Sequence, residues 1–186
     1  MATLFVDKID PQSGTSLEIG SSGDTLDLSN PSTVTLNSVM KNTPAFLYTA
    51  NSNQSIANAT NVVFDVPTKI VDTDDAYDTT NKRFVIPSGE DGLYCFFIAY
   101  QYNGDATNNH AFIQRRDSSD NLYQNSGTNI DGGYAMIQDI RGVSFTMYYN
   151  CVAGDRISAR TQQYSGSTQT FYKPRTFFGG HKLIGV

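Results

Sequence analysis

Four carboxylates stand close together at Asp72, Asp74, Asp75 and Asp78. Clustered carboxylates can hold a hard cation such as calcium, which takes six or more oxygen ligands converging on one point. The run lacks the spacing and the Gly and Glu positions of a helix–loop–helix calcium loop. It reads as a solvated acidic turn, with calcium as the alternative and no other cofactor expected. His110 and His181 are the only histidines, and neither neighbours a nucleophile or a ligand motif. Gly-x-Ser-x-Gly, His-Glu-x-x-His and phosphate-loop patterns are absent from the chain. Glycoside cleavage needs two carboxylates set apart in space, and nothing in the sequence selects a pair among its 18 acidic residues. No catalytic, metal-binding or cofactor-binding residue is assigned, and the chain reads as non-enzymatic.

Aromatic hydroxyls are a richer resource. Tyr100, Tyr102, Tyr123, Tyr134, Tyr148, Tyr149, Tyr164 and Tyr172 are amphipathic rings of the kind that stack on sugars or are buried at subunit contacts. Most are expected to fill the interior or an interface, including one of Tyr148 and Tyr149, which fall on alternate faces of a strand. Tyr123 and Tyr164 are the candidate surface-binding rings. Cys95 and Cys151 are the only cysteines and read as two reduced, structural thiols. The acceptor patterns Asn53-Gln54-Ser55 and Asn58-Ala59-Thr60 read as coincidences of an Asn-rich chain.

The elements that must position these residues are strands. Charged residues make up 17% of the 186, Trp is absent, and Tyr and Phe number 11 each. They alternate rather than recur at helical spacing, and no amphipathic helix is evident, so the chain is all-β with polar turns. Strands are expected at Pro44–Tyr48, Asn61–Asp65 (pairing with the first) and Thr68–Asp72. A hairpin is expected from Ala111–Arg116 and Asn121–Gln124 around Asp117-Ser118-Ser119-Asp120. Tyr134–Ile140, Val143–Val152, Arg156–Tyr164 and Arg175–Leu183 follow, with exposed loops at Asn125–Gly133 and Gly166-Ser167-Thr168.

Residues 1–42 differ from the rest. Leu17/Ile19, Leu26/Leu28 and Val34/Leu36 form a miniature repeat of short two-sided strands separated by polar turns. Such strands cannot bury a face alone and need neighbours from their own chain or other subunits. Net charge is −5, and the basic residues look scattered apart from Arg115-Arg116, which argues against nucleic acid as a partner. No apolar run approaches bilayer length, so membrane insertion is not expected. The N-terminus also lacks the layout of a secretory signal, so export by the usual route is not expected.

Four motifs occur in a telling order. Pro44-Ala45-Phe46 opens the region. Tyr77-Asp78-Thr79-Thr80-Asn81-Lys82-Arg83-Phe84 then leads through a Pro/Gly turn to Gly92-Leu93-Tyr94-Cys95-Phe96. Ala153-Gly154-Asp155-Arg156-Ile157 and Thr176-Phe177-Phe178-Gly179-Gly180-His181-Lys182-Leu183 close it. Together they resemble the complement-type globular head, the trimeric jelly roll shared with the tumour necrosis factor superfamily. The resemblance covers Thr43 to Val186 and implies that the Gly-x-Tyr-x-Phe strand lies at the centre of a sandwich. The N-terminal repeat resembles, in style, the repetitive segments of bacteriophage fibre and appendage proteins.

The expectation is therefore an all-β jelly-roll sandwich, homotrimeric, at 43–186, behind a repetitive β anchor at 1–42. It would be a bacteriophage virion surface protein (a tail fibre, appendage or capsid decoration) assembled in the host cytoplasm. Residues 1–42 would meet other virion proteins, while the outward head would attach to a host surface glycan or protein. The alternative is a free lectin-like or receptor-binding trimer of cellular origin.

Overall fold

The computed structural model describes residues 43–103, 109–123, 132–137 and 142–183, and the structural statements below concern these. The segment read as an anchor, 1–42, lies outside the described residues. So does the loop at 125–133, except Gly132 and Gly133.

Thirteen described strands form two antiparallel sheets. In chain order they are β1 (Ala45–Thr49), β2 (Gln54–Ile56), β3 (Val62–Val63), β4 (Thr68–Asp72), β5 (Tyr77–Asp78), β6 (Arg83–Val85) and β7 (Gly92–Asn103). Then come β8 (Asn109–Arg116), β9 (Gly132–Ile137), β10 (Gly142–Cys151), β11 (Arg156–Gln163), β12 (Gln169–Phe171) and β13 (Phe177–Lys182). The front sheet runs β10-β7-β13-β1-β4, and the far end of β7 continues through β12 to β2. The back sheet runs β5-β6-β11-β8-β9, with β3 also pairing β11. The expected pairing of Pro44–Tyr48 with Asn61–Asp65 is not formed. β1 lies between β13 and β4 in the front sheet, while β3 joins the back sheet. Strand propensity marks a segment as extended, but pairing is decided by which sheet face receives its apolar side chains.

β7 shows that choice most clearly. Tyr94, Phe96, Ile98, Tyr100 and Tyr102 are buried between the sheets, whereas Leu93, Cys95, Phe97, Ala99 and Gln101 alternate on the other face and are half-buried. The central placement implied for the Gly-x-Tyr-x-Phe strand is what the fold has, since β7 pairs with β10, β13 and β12. The core is largely aromatic. Phe46 stacks on Phe84 at 4.2 Å between centroids, Tyr94 on Phe96 at 5.7 Å, and Tyr48 on Tyr77 at 4.3 Å. A second group, Phe64, Tyr100, Tyr102 and Phe171, fills the other end. Buried phenols find acceptors in most cases: Tyr94 donates to Glu90 O (2.6 Å) and Tyr149 to Ile113 O (2.7 Å).

The closing Gly179-Gly180 has a packing reason. A side chain on Gly180 would come within 2.5 Å of Phe96 Cδ1, inside the core. One on Gly179 would collide with the Phe97 ring, which covers that position on the outer face. Both rings can lie flat across β13 only because these positions carry no Cβ.

The Gly-Asp turn is equally physical. Gly154 adopts φ +86°, a left-handed conformation that glycine enters without strain. Asp155, 1% exposed, accepts hydrogen bonds from Arg115 Nε (2.9 Å), Tyr123 Oη (2.8 Å) and Val152 N (3.0 Å). The turn after β10 is thereby tied to the end of β8. The predicted hairpin beyond β8 is present, with Asp117 accepting from Ser119 N and Asn121 N and a bridge between Arg116 and Leu122.

Candidate functional site

Two surfaces stand out on opposite sheets. On the front sheet, register aligns the outward residues into rows. Tyr148, Cys95, His181 and Ala45 stand side by side across β10, β7, β13 and β1. The next row is Thr146, Phe97, Gly179, Leu47 and Val71, and the next Ser144, Ala99, Phe177, Thr49 and Thr68. No Asp, Glu, Lys or Arg occurs in these rows. Tyr148 is 59% exposed and Val71 43%. A broad, charge-free sheet face with one exposed Tyr ring and two half-buried Phe rings is the composition of an interface core rather than of ordinary surface.

The back sheet carries the opposite chemistry. Along β11, Ile157, Ala159, Thr161 and Gln163 point inward and are buried, which turns Arg156, Ser158, Arg160 and Gln162 outward. Arg116 pairs with Arg156 from β8, and Arg83 reaches the same place from β6, whose Phe84 faces the core opposite Ile157. The four guanidiniums line a cleft of about 240 Å³ together with Ser158, Asn81, Val63 and Asp120. Asp120 Oδ1 accepts from Arg83 Nη1 at 3.1 Å and Arg156 Nη1 at 3.2 Å. At the other end, Gln114 Oε1 bridges Arg116 Nε and Arg160 Nη1, both at 3.2 Å, and Arg160 Nε donates to Asn61 Oδ1 at 2.8 Å. Among the described residues Arg160 has no carboxylate within ion-pair distance. Burial first, and the Arg116 charge second, push the Arg160 guanidinium down from its ordinary value. Nothing in the sequence flagged this convergence, because residues 83, 116, 156 and 160 are far apart in the chain. The period-2 alternation of β11 was the signal available.

The sequence-derived candidates fall as follows. Tyr164 is 42% exposed, and its ring lies 5.2 Å from that of His110. Tyr123 is half-buried, its hydroxyl bonded to Asp155 and its ring covered by the Arg115 guanidinium at 3.7 Å. The two rings stand at opposite ends of the β8–β11 pair, seven residues or roughly 23 Å apart at ~3.3 Å per residue, so they do not share one site. Tyr149 is buried while Tyr148 is exposed, as alternation on one strand requires.

The acidic run has local partners. Asp72 accepts from Tyr48 Oη (3.1 Å), Ala76 N (3.1 Å) and Tyr77 N (3.0 Å). Burial, then the Asp72 charge, push the Tyr48 phenol up to about 12, which keeps it a donor. Asp75 pairs with Lys69 at 2.6 Å, and Asp78 accepts from Asn81 N at 2.9 Å. Among the described residues no three His, Cys, Asp or Glu side chains converge as a metal site. Cys95 and Cys151 form no disulfide with each other. His181 lies on β13 and His110 on β8. No helix of the described residues is long and apolar enough to cross a membrane.

Neither a protein-family model nor any characterised protein matches the chain by sequence. Solved structures do match it in shape. Murine APRIL aligns with a TM-score of 0.53 at 10% identity, covering 75% of this chain and 98% of that one. PRD1 vertex protein P5 aligns with a TM-score of 0.50 at 13% identity, over 75% and 94% of the two chains. The globular domain of zebrafish complement 1qA protein is a looser likeness, at TM-score 0.46 and 13% identity over 77% of this chain and 98% of that one. At these identities the likeness bears on fold alone. That fold is a TNF-like jelly roll.

Proposed function

We propose that this jelly roll is the head of a homotrimeric virion surface protein of a bacteriophage, attached through residues 1–42, with the head presented outward. The observation that carries the self-association is the front-sheet face: row after row of apolar and small polar side chains, without a charge, around Tyr148, Phe97, Leu47 and Phe177. Three copies placing that face about a common axis bury it together, and threefold closure leaves no growing end. Support for the virion setting comes from the repetitive N-terminal pattern and from a vertex protein sharing the fold. Repetition on a particle makes weak contacts with a host surface effective through avidity. No step of this role calls for catalysis.

Residues 43–186 produced alone are expected to sediment as a trimer at micromolar concentration. Leu47→Asp sets a carboxylate in the middle of the face, where burial of an unpaired charge is prohibitive. That variant is expected to be a folded monomer. A stable wild-type monomer, or a trimer indifferent to Leu47→Asp, contradicts the proposed interface.

Attachment is tested separately. Deleting residues 1–42 while keeping the head is expected to abolish incorporation into purified particles. Normal occupancy of the truncated protein on particles sinks the anchor assignment and moves attachment to the jelly roll.

A further inference from the structure

We infer that the arginine cleft of the back sheet binds an acidic saccharide, holding its carboxylate or sulfate between Arg116 and Arg160. The inference rests on the cleft alone and stands whether or not the chain trimerises or sits on a particle.

Four guanidiniums brought to one place repel one another, and exposed ion pairs return little in compensation. In a chain of net charge −5 with 13 Lys and Arg, such a gathering is against the average field. Local charge is also unbalanced along the cleft. Arg83 and Arg156 share Asp120, and Arg83 has Asp78 Oδ2 at 3.8 Å from its Nε. The Arg116–Arg160 end has only the more distant Asp120 oxygen, at 3.9 Å from Arg116. The Asp120 backbone carbonyl accepts from Arg116 Nη1 at 2.7 Å, Asn61 from Arg160 and Gln114 from both; these neutral acceptors orient the forks without cancelling their charge. A carboxylate or sulfate, which offers two oxygens along one edge, is the complement of a guanidinium fork.

The rest of the lining fits the remainder of a sugar. Ser158 is small, and with larger neighbours on every side it leaves the depression that gives the cleft its volume. Its hydroxyl, the Asn81 amide and the Asp120 carboxylate are the partners that ring hydroxyls require. Asp120 also disfavours a compact polyanion such as inorganic phosphate, which would set a second charge against the carboxylate. A sugar bearing one acid group satisfies both ends at once.

The test uses the full chain at fixed ionic strength, titrated with glucuronic acid, glucose 6-sulfate, glucose and sodium sulfate. Binding is read by amide chemical shifts and by the rise in Tm. The two acidic sugars are expected to bind, with glucose and sodium sulfate at least about tenfold weaker, since each lacks one half of the recognition. Arg116→Gln and Arg160→Gln are each expected to weaken the acidic sugars about tenfold or more. Ser158→Leu fills the cleft with all charges kept and is expected to do the same. Arg175→Gln, at an exposed arginine outside the cleft, is expected to leave binding unchanged. Retention of the ligand-free Tm shows that a variant still folds. Equal binding of glucose removes the acid-group assignment, and equal binding of sodium sulfate removes the saccharide. Equal losses in Arg175→Gln reduce the effect to diffuse charge and overturn the site.

Discussion

Phe96→Ala is expected to lower the stability of the head by about 3–5 kcal/mol, the range for removing a buried aromatic ring without collapse of the site. Phe96 is fully buried and meets Tyr94, Phe46, Phe84 and Tyr149 at centroid distances of 5.7 to 6.3 Å. Its ring also covers Gly180, so the strand beneath has no side chain to swing into the space. Both sheets contribute neighbours, and neither can relax toward the cavity without breaking register with its other strands. Phe97→Ala, one residue on and half-buried on the outer face, is the control. It removes a similar ring from a position where solvent or a subunit fills the gap, and its effect is expected to be smaller. Denaturant unfolding of both variants measures the difference. A loss below about 1 kcal/mol for Phe96→Ala would mean that the ring is not enclosed as described.

Asp155→Ala is expected to cost a comparable amount, about 3–5 kcal/mol, by a different route. The carboxylate is 1% exposed and holds three donors, from Arg115, Tyr123 and the turn backbone at Val152. Truncation leaves the half-buried Arg115 guanidinium without its anion and frees the Tyr123 ring that lies beneath it. Most of the loss comes from the stranded cation rather than from the net strength of the pair. Arg115→Met in the Asp155→Ala background is therefore expected to recover part of the stability. If the double variant is no more stable than Asp155→Ala, the stranded-charge account fails and the turn hydrogen bond to Val152 carries the effect. Chemical unfolding of the two single variants and the double decides this.

Much of the sandwich is legible from residues one or two apart. Alternation along Gly92–Ala99 places Tyr94 and Phe96 inside and Cys95 and Phe97 outside without reference to any other strand, because a strand's side chains alternate by covalent geometry. The Gly-Asp turn and the Phe-x-Gly closing strand are readable for the same reason: each rests on a conformation or contact that few residue types allow. The partner of β1 is not readable in that way. Pro44–Tyr48 and Asn61–Asp65 are both apolar and extended, yet only the completed sandwich sends β1 to the front sheet and β3 to the back.

The surfaces depend still more on tertiary structure. Tyr123 and Tyr164 look alike as rings at or near strand ends, but Asp155 and Arg115 hold the first, while the second stays exposed. The basic residues seemed scattered because distance along the chain was the only measure. Antiparallel pairing of β6, β11 and β8 puts Arg83, Arg116, Arg156 and Arg160 around one serine, and the turn at Asp117–Asp120 brings a carboxylate over them. Local sequence determines which way each side chain faces. Which side chains become neighbours is decided by the register between strands far apart in the chain, and that register is set by burial of the aromatic core rather than by the charged residues it happens to align.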